Sequence, residues 1–195
     1  MNTLLVFNLI KEIIFNPDKG WQSIKGNNIT WQHVFVYITI PLAFLSTMAT
    51  LVFAGQHFKI FNLTPNQIFI INVLGSLLGI AIGANLISRI SQFFAVNISF
   101  NDAVVLVSFS FLPMFIANII ASFHPALTII NIFGLFYMII LFRKGMRIHV
   151  EASGAKIFWL TVSSLLILLI SRIIATTIVA AITISLTGGS MGIVQ

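Results

Sequence analysis

The sequence predicts an all-α fold: a polytopic transmembrane bundle of five spans, preceded by an amphipathic interfacial helix. Three observations carry that prediction. Hydrophobic residues make up 58% of the 195 positions and charged residues 7%, against about 25% charged in a soluble domain. A water-soluble core at this length still leaves much of its surface exposed, so so much apolar surface needs lipid as its solvent. The apolar residues fall into five runs, each of the order of the 20 or so residues that cross the hydrocarbon. The breaks between the runs carry helix-start chemistry.

Residues 1–26 come first and are too polar to span. Lys11 and Glu12 interrupt the opening apolar run. Asn8, Lys11 and Glu12 share one helical face, while Leu4, Leu5, Phe7, Ile10, Ile13 and Ile14 cover the rest. Such a helix lies in the membrane interface; the alternative is a short helix packed on the spans. The opening lacks a basic stretch and a small-residue cleavage site, so a cleavable leader is not expected.

The spans follow at about 31–55, 67–94, 101–123, 126–142 and 157–186. Before the second, Thr64 suits a cap, Pro65 the first helical position and Gln67 the capping-box partner. Ser99 and Asp102 repeat that spacing before the third, and Pro125 opens the fourth. A polar segment from Arg143 to Lys156 precedes the fifth. At about 30 apolar residues, the fifth run exceeds one perpendicular crossing and must tilt, protrude or break. Polar turns at Val96 to Asn101 and at His124 and Pro125 are short, so residues 1–195 read as one membrane domain.

Five spans put the ends of the bundle on opposite sides. With the N-terminus in the cytoplasm, the inner segments hold Lys11, Lys19, Lys25, Arg89, Arg143, Lys144, Arg147 and Lys156, and the outer segments hold Lys59. That imbalance follows the positive-inside rule, and Trp21, Trp31 and Trp159 fall near the same inner interface. The expectation is a multi-pass protein of the inner (cytoplasmic) membrane, N-terminus inside and C-terminus outside. The net charge of +6 reflects scarcity of acid: Glu12, Asp18, Asp102 and Glu151 are the four acids. The bases are dispersed, so they point to anionic headgroups rather than to nucleic acid. Without cysteine there are no disulfides and no thiolate metal sites.

Several residues stand out within the spans. Gly75, Gly79 and Gly83 lie four apart, on one helical face. They permit close helix packing, either inside the bundle or as a groove for lipid or a second protomer. Pro41 and Pro113 each remove a backbone donor and bend a helix; each marks a static kink or a hinge. Ser110 and Asn118 are polar candidates for the carbonyl freed at residue 109. Asn72, Asn85, Asn118 and Asn131 are amides within or near spans and should face the interior, as cross-braces or as a cavity lining. Arg172 lies deep in the fifth run with no Asp or Glu in any predicted membrane core. Its partners would be a polar network with amides such as Asn85, Asn118 and Asn131, a lipid phosphate or water; the alternative is snorkelling to the outer interface.

The chemistry of catalysis and of cofactors is sparse. His33, His57, His124 and His149 lack metal-ligand spacing. Asp102, and Glu151 beside His149, fall near the inner face without a partner arrangement for acid–base work. No phosphate loop, zinc motif or nucleophile elbow is present, so neither an enzyme nor a cofactor is expected.

In order and spacing, three stretches resemble the Yip1 domain family. Ile14-Phe15-Asn16-Pro17 with Trp21 and Ile24 is similar to the segment before the first span in its bacterial members. Phe100-Asn101-Asp102-Ala103 leading to Phe109-Ser110-Phe111-Leu112-Pro113 resembles its third span. Tyr137, then Arg143-Lys144-Gly145-Met146, His149, Ala155 and Lys156, resembles its fourth span and basic exit. The resemblance implies five spans with a cytoplasmic N-terminus. It implies a non-enzymatic protein that shapes membrane, organises lipid, or binds another membrane protein or itself as an oligomer; the alternative is a transporter or channel for a small solute or lipid. Eukaryotic members linked to prenylated small GTPases carry an acidic-leucine-tyrosine-glycine-proline motif before the first span. That motif is missing here, so the resemblance carries no GTPase role.

Overall fold

The computed structural model describes residues 3–54, 63–150 and 152–187. Within them the chain forms seven helices: α1 Thr3–Phe15, α2 Pro17–Gly26, α3 Trp31–Phe53, α4 Pro65–Phe94, α5 Phe100–Ser122, α6 Pro125–His149 and α7 Gly154–Thr187. The last five are long and apolar enough to cross a membrane. Lys59, His57 and Glu151, which figure in the sequence reading, lie outside the described residues.

The helix starts follow local chemistry. Gln67 N–H donates to Thr64 Oγ1 at 3.3 Å and Thr64 N–H to Gln67 Oε1 at 2.7 Å, a complete capping box with Pro65 at the first position. Asp102 N–H donates to Ser99 Oγ at 3.1 Å, and the Ser99 hydroxyl returns to the carboxylate at 2.6 Å. Between α4 and α5, Ala95 adopts the left-handed region (φ 53°). Ser88 Oγ donates to the Ile98 carbonyl at 2.7 Å and holds this turn closed.

The centre of the molecule is α5. Every residue from Ala103 to Pro113 is buried, an unbroken run that only a helix surrounded on all sides can sustain. Helix α3 is pinned to it at both ends: Trp31 N–H donates to Asn101 Oδ1 at 2.7 Å, and the hydroxyls of Thr50 and Ser122 meet at 3.2 Å. Helix α6 runs antiparallel on another side, and α4 and α7 form the most extensive helix pair. The outer surface is apolar in turn. Phe133, Phe136, Leu169, Ile170 and Ile173 are all more than half exposed, as expected where lipid is the solvent.

The two short helices form a hairpin on the α6 end of this bundle. Asn16 Oδ1 caps α2 by accepting from Lys19 N–H at 3.3 Å. A Cβ at Gly20 would stand 2.6 Å from the Ile13 Cα, so α1 and α2 cross in backbone contact. Lys19 lies 3.5 Å from the Glu12 carboxylate. The Ser23 hydroxyl foremost, and then Lys19, hold that carboxyl below its ordinary range against a smaller opposing effect of burial. Val6, Leu9 and Ile13 of α1 enter the common core, while Leu4, Phe7 and Phe15 stay exposed with Asn8 and Lys11. The helix is therefore packed on one face and open on the other.

Two expectations change and a third is narrowed. The fourth helix does not stop at residue 142 but continues to His149, with Val150 N–H closing the last turn on the Met146 carbonyl at 2.9 Å. Its basic residues sit at a helix C-terminus, where the helix dipole favours cations, and α2 packs along it. The long fifth run is one continuous helix of 34 residues, about 51 Å at helical rise, so tilt or protrusion absorbs the excess over a bilayer core of about 30 Å. Trp21 is no exposed interfacial anchor: it is fully buried, and its indole N–H donates to the Leu141 carbonyl at 3.0 Å.

Candidate functional site

The glycine face of α4 meets α7. A Cβ on Gly75 would stand 2.9 Å from Thr176 Oγ1, one on Gly79 3.1 Å from the Arg172 Cα, and one on Gly83 2.7 Å from Leu168 Cδ2. The helices thus touch through backbone where any larger residue would separate them. At the far end of the pair, Gln67 Nε2 donates to Thr187 Oγ1 at 2.6 Å.

This packing fixes the depth of Arg172. Gly79 follows Pro65 by 14 residues and precedes Phe94 by 15, the middle of α4. Arg172 follows Gly154 by 18 and precedes Thr187 by 15, or about 27 and 22 Å at helical rise. Phe111, in the middle of α5, shares a small cavity with Arg172. Three helices therefore place the arginine level with the midpoint of the bundle. The arginine is half-buried. Among the described residues its guanidinium makes no hydrogen bond or ion pair. The cavity beside it, lined by Ser76, Gly79, Ile80, Phe111, Phe115 and Leu168, measures about 10 Å³, room for roughly one water.

The amides do not gather around Arg172. Asn85 is exposed and accepts from Arg89 Nε at 3.0 Å, one turn along its own helix. At Asn118 it is the backbone carbonyl, not the amide, that accepts from Ser122 Oγ, at 2.7 Å. The Asn131 Oδ1 atom is buried without a partner among the described residues, as are the hydroxyls of Ser108, Ser110, Ser164 and Ser171. Ser110 therefore does not serve the carbonyl at residue 109. Asn72 donates to the Ile68 carbonyl of its own helix at 3.0 Å.

Both prolines mark distortions. Five residues of π-helix, Phe35–Thr39, end two positions before Pro41, and the Ile40 N–H reaches back to Phe35. The wide turn relieves the clash of the proline ring with the preceding turn. In α5 the helix breaks at Phe111 (φ −77°, ψ −9°), two residues before Pro113. Gly134 of α6 fits against this break: a Cβ there would stand 3.1 Å from the Pro113 carbonyl and 2.6 Å from Ala117 Cβ.

Two apolar grooves open beside these features. One of about 300 Å³ runs past Pro113, Ala117, Phe133 and Gly134 to Ile14 and Tyr137, where the tyrosine hydroxyl donates to the Ile14 carbonyl. The other, of about 320 Å³, lies between α4 and α7 among Ile70, Leu74, Leu78, Val179, Ile182 and Leu186.

Sequence reasoning missed the locking of Trp21. Gly145 makes room for the indole, since a Cβ there would stand 2.7 Å from two ring atoms. Phe109 and His149 meet the ring edge-on, with centroids at 6.1 and 5.5 Å. A tryptophan shortly before a span reads as an interfacial anchor, and nothing local signals its partner 124 residues later. Among the described residues, no group of three His, Cys, Asp or Glu side chains converges to hold a metal.

A five-span all-α bundle with an apolar exterior defines a multi-pass membrane protein in contact with lipid. Residues 11–175 match the Yip1 domain, and the chain belongs to that family. No curated protein and no solved structure matches it.

Proposed function

We propose that this Yip1-domain protein is a non-catalytic organiser of the cytoplasmic membrane that works by holding lipid against its surfaces, with its N-terminus inside and its C-terminus outside. The observation that carries this reading is the solid centre. A transport pathway through a single bundle needs polar groups lining a continuous space, whereas α5 is buried without interruption from Ala103 to Pro113. The space beside Arg172 holds about one water, and the larger hollows near it are apolar grooves on the flanks. The apolar grooves, one of them bordered by Tyr137, suit acyl chains, and the basic C-terminal end of α6 suits anionic headgroups. The distribution of bases supports the orientation.

The test is reconstitution of the purified protein into vesicles, with bound lipid and solute flux measured on one preparation. Lipid retained through detergent exchange, together with ion and small-solute flux at the level of empty vesicles, is the expected result. Flux that depends on the protein and is lost in Arg172→Leu would replace the organiser by a transporter.

A further inference from the structure

At the end of the bundle where α2, α5 and α6 meet lies a cavity unlike the grooves. It measures about 280 Å³ and is lined by Lys25, Asn28, Asn101, Asp102 and His149, with Ile24, Ile29 and Val105 as its apolar floor. That size is near the low end for small-molecule sites, about 300 Å³.

Its polar walls are held from behind. Lys25 Nζ donates to the Ile148 carbonyl at 2.9 Å, which leaves two of its three N–H groups free. Asp102 Oδ2 accepts from Ser99 Oγ, which leaves its second oxygen open. Asn101 is engaged on both sides, by the Trp31 N–H and by the Ile29 carbonyl at 3.2 Å. His149 Nδ1 lies 3.0 Å from the Gly145 carbonyl. A carbonyl can only accept, so Nδ1 carries the proton and neutral Nε2 is an acceptor. Trp21, edge-on at 5.5 Å, fixes the ring plane.

Lys25 and Asp102 therefore line one cavity with opposite charges and form no ion pair with each other or with any other described residue. Each is tethered to its own wall, so the charges cannot collapse together. An ammonium is the complement of the Asp102 oxygen and His149 Nε2. A phosphate is the complement of the Lys25 ammonium and the Asn28 amide. The cavity sits at the helix ends beside Trp31, close to headgroup depth on the side that carries the basic residues. We infer that this cavity binds a phosphoethanolamine group between Lys25 and Asp102, as the headgroup of a lipid or as a soluble phosphodiester of the same chemistry. The inference deepens the lipid-organising reading and rests on it.

The experiment is native mass spectrometry of the full chain released from micelles doped with equal amounts of phosphatidylethanolamine, phosphatidylcholine and phosphatidylglycerol. The wild-type protein should retain phosphatidylethanolamine over the other two by about tenfold, the scale of one charge-assisted hydrogen bond. Choline has no N–H for Asp102, and glycerol has no charge. Asp102→Asn keeps the cap acceptor and Lys25→Gln keeps the length of the stem; each should abolish the preference, while Lys25→Arg retains it. Competition by glycerophosphoethanolamine at equal concentration would assign the site to the free compound, and its failure to compete would assign it to the lipid. The wild-type preference needs no variant, so misfolding of a variant leaves the test intact. Equal retention of the three lipids by wild type overturns the site and leaves the organiser standing; retention of no lipid at all removes the organiser itself.

Discussion

Gly79 of α4 and Arg172 of α7 meet backbone to backbone at the middle of the bundle, so closely that a Cβ on the glycine would stand 3.1 Å from the arginine Cα. The contact places the backbone of a permanently charged residue level with the middle of the bundle, on the face where Gly75 and Gly83 also pack against α7. Guanidinium does not lose its proton in proteins, so the cost of that placement is met by water, a phosphate, or the partial exposure of the side chain.

Gly79→Leu should push α4 and α7 apart. Overpacking of this kind costs about 1–3 kcal/mol, which should lower the thermal midpoint and the yield in detergent. Leu78→Ala is the control: Leu78 is 44% exposed, and the change should stay within about 0.5 kcal/mol. Equal midpoints for Gly79→Leu and wild type would show that the helices do not pack here.

The Trp21 lock makes a second prediction. Gly145→Ala should destabilise by about 1–3 kcal/mol through overlap with the indole and with Leu106. Trp21→Phe should cost at least about 1 kcal/mol for the lost hydrogen bond to Leu141. Gly154→Ala should be neutral, because nothing lies within 4 Å of the added methyl. Unfolding followed by circular dichroism in one detergent checks all three.

Arg172→Leu should raise stability by about 2.5 kcal/mol, the low end of the insertion cost of an arginine at the bilayer centre, because no described residue pairs with the charge. The same variant should lose lipid retention if the guanidinium holds a phosphate. Arg172→Lys keeps the charge without the planar fork and should retain lipid less well than wild type. A Lys variant indistinguishable from wild type, with residue 172 labelled freely from outside as cysteine, would make the arginine an interfacial anchor.

Orientation can be read with single cysteines, since the chain has none of its own. Cysteines at Asn27 and Ser153 should label from the cytoplasmic side, and a cysteine at Asn66 from the outside; all three positions are exposed. Labelling of Ser153→Cys by an impermeant reagent in intact cells would invert the topology.

The spans were legible because lipid imposes a strong signal, about 20 apolar residues in a row, and because Thr64, Gln67, Ser99 and Asp102 declare helix starts locally. The glycine spacing was equally visible, though the sequence could not say which helix would meet it. The end of α6 was hidden, because charges at a helix C-terminus look like a loop when hydropathy is the guide. Trp21 and Gly145 were hidden for a different reason: their relation is tertiary, set by how α2 lies along α6. The polar cavity between Lys25 and Asp102 was invisible for the same reason, since its residues come from three separate segments.

The solid centre is tested most directly by a cysteine scan of α5 from Ala103 to Pro113, with a membrane-impermeant maleimide applied to the folded protein from both faces. None of the eleven positions should label under conditions where Ser153→Cys and Asn66→Cys react fully. Reaction at every third or fourth position, marking one water-filled face of the helix, would contradict a packed core and establish an aqueous path through the bundle.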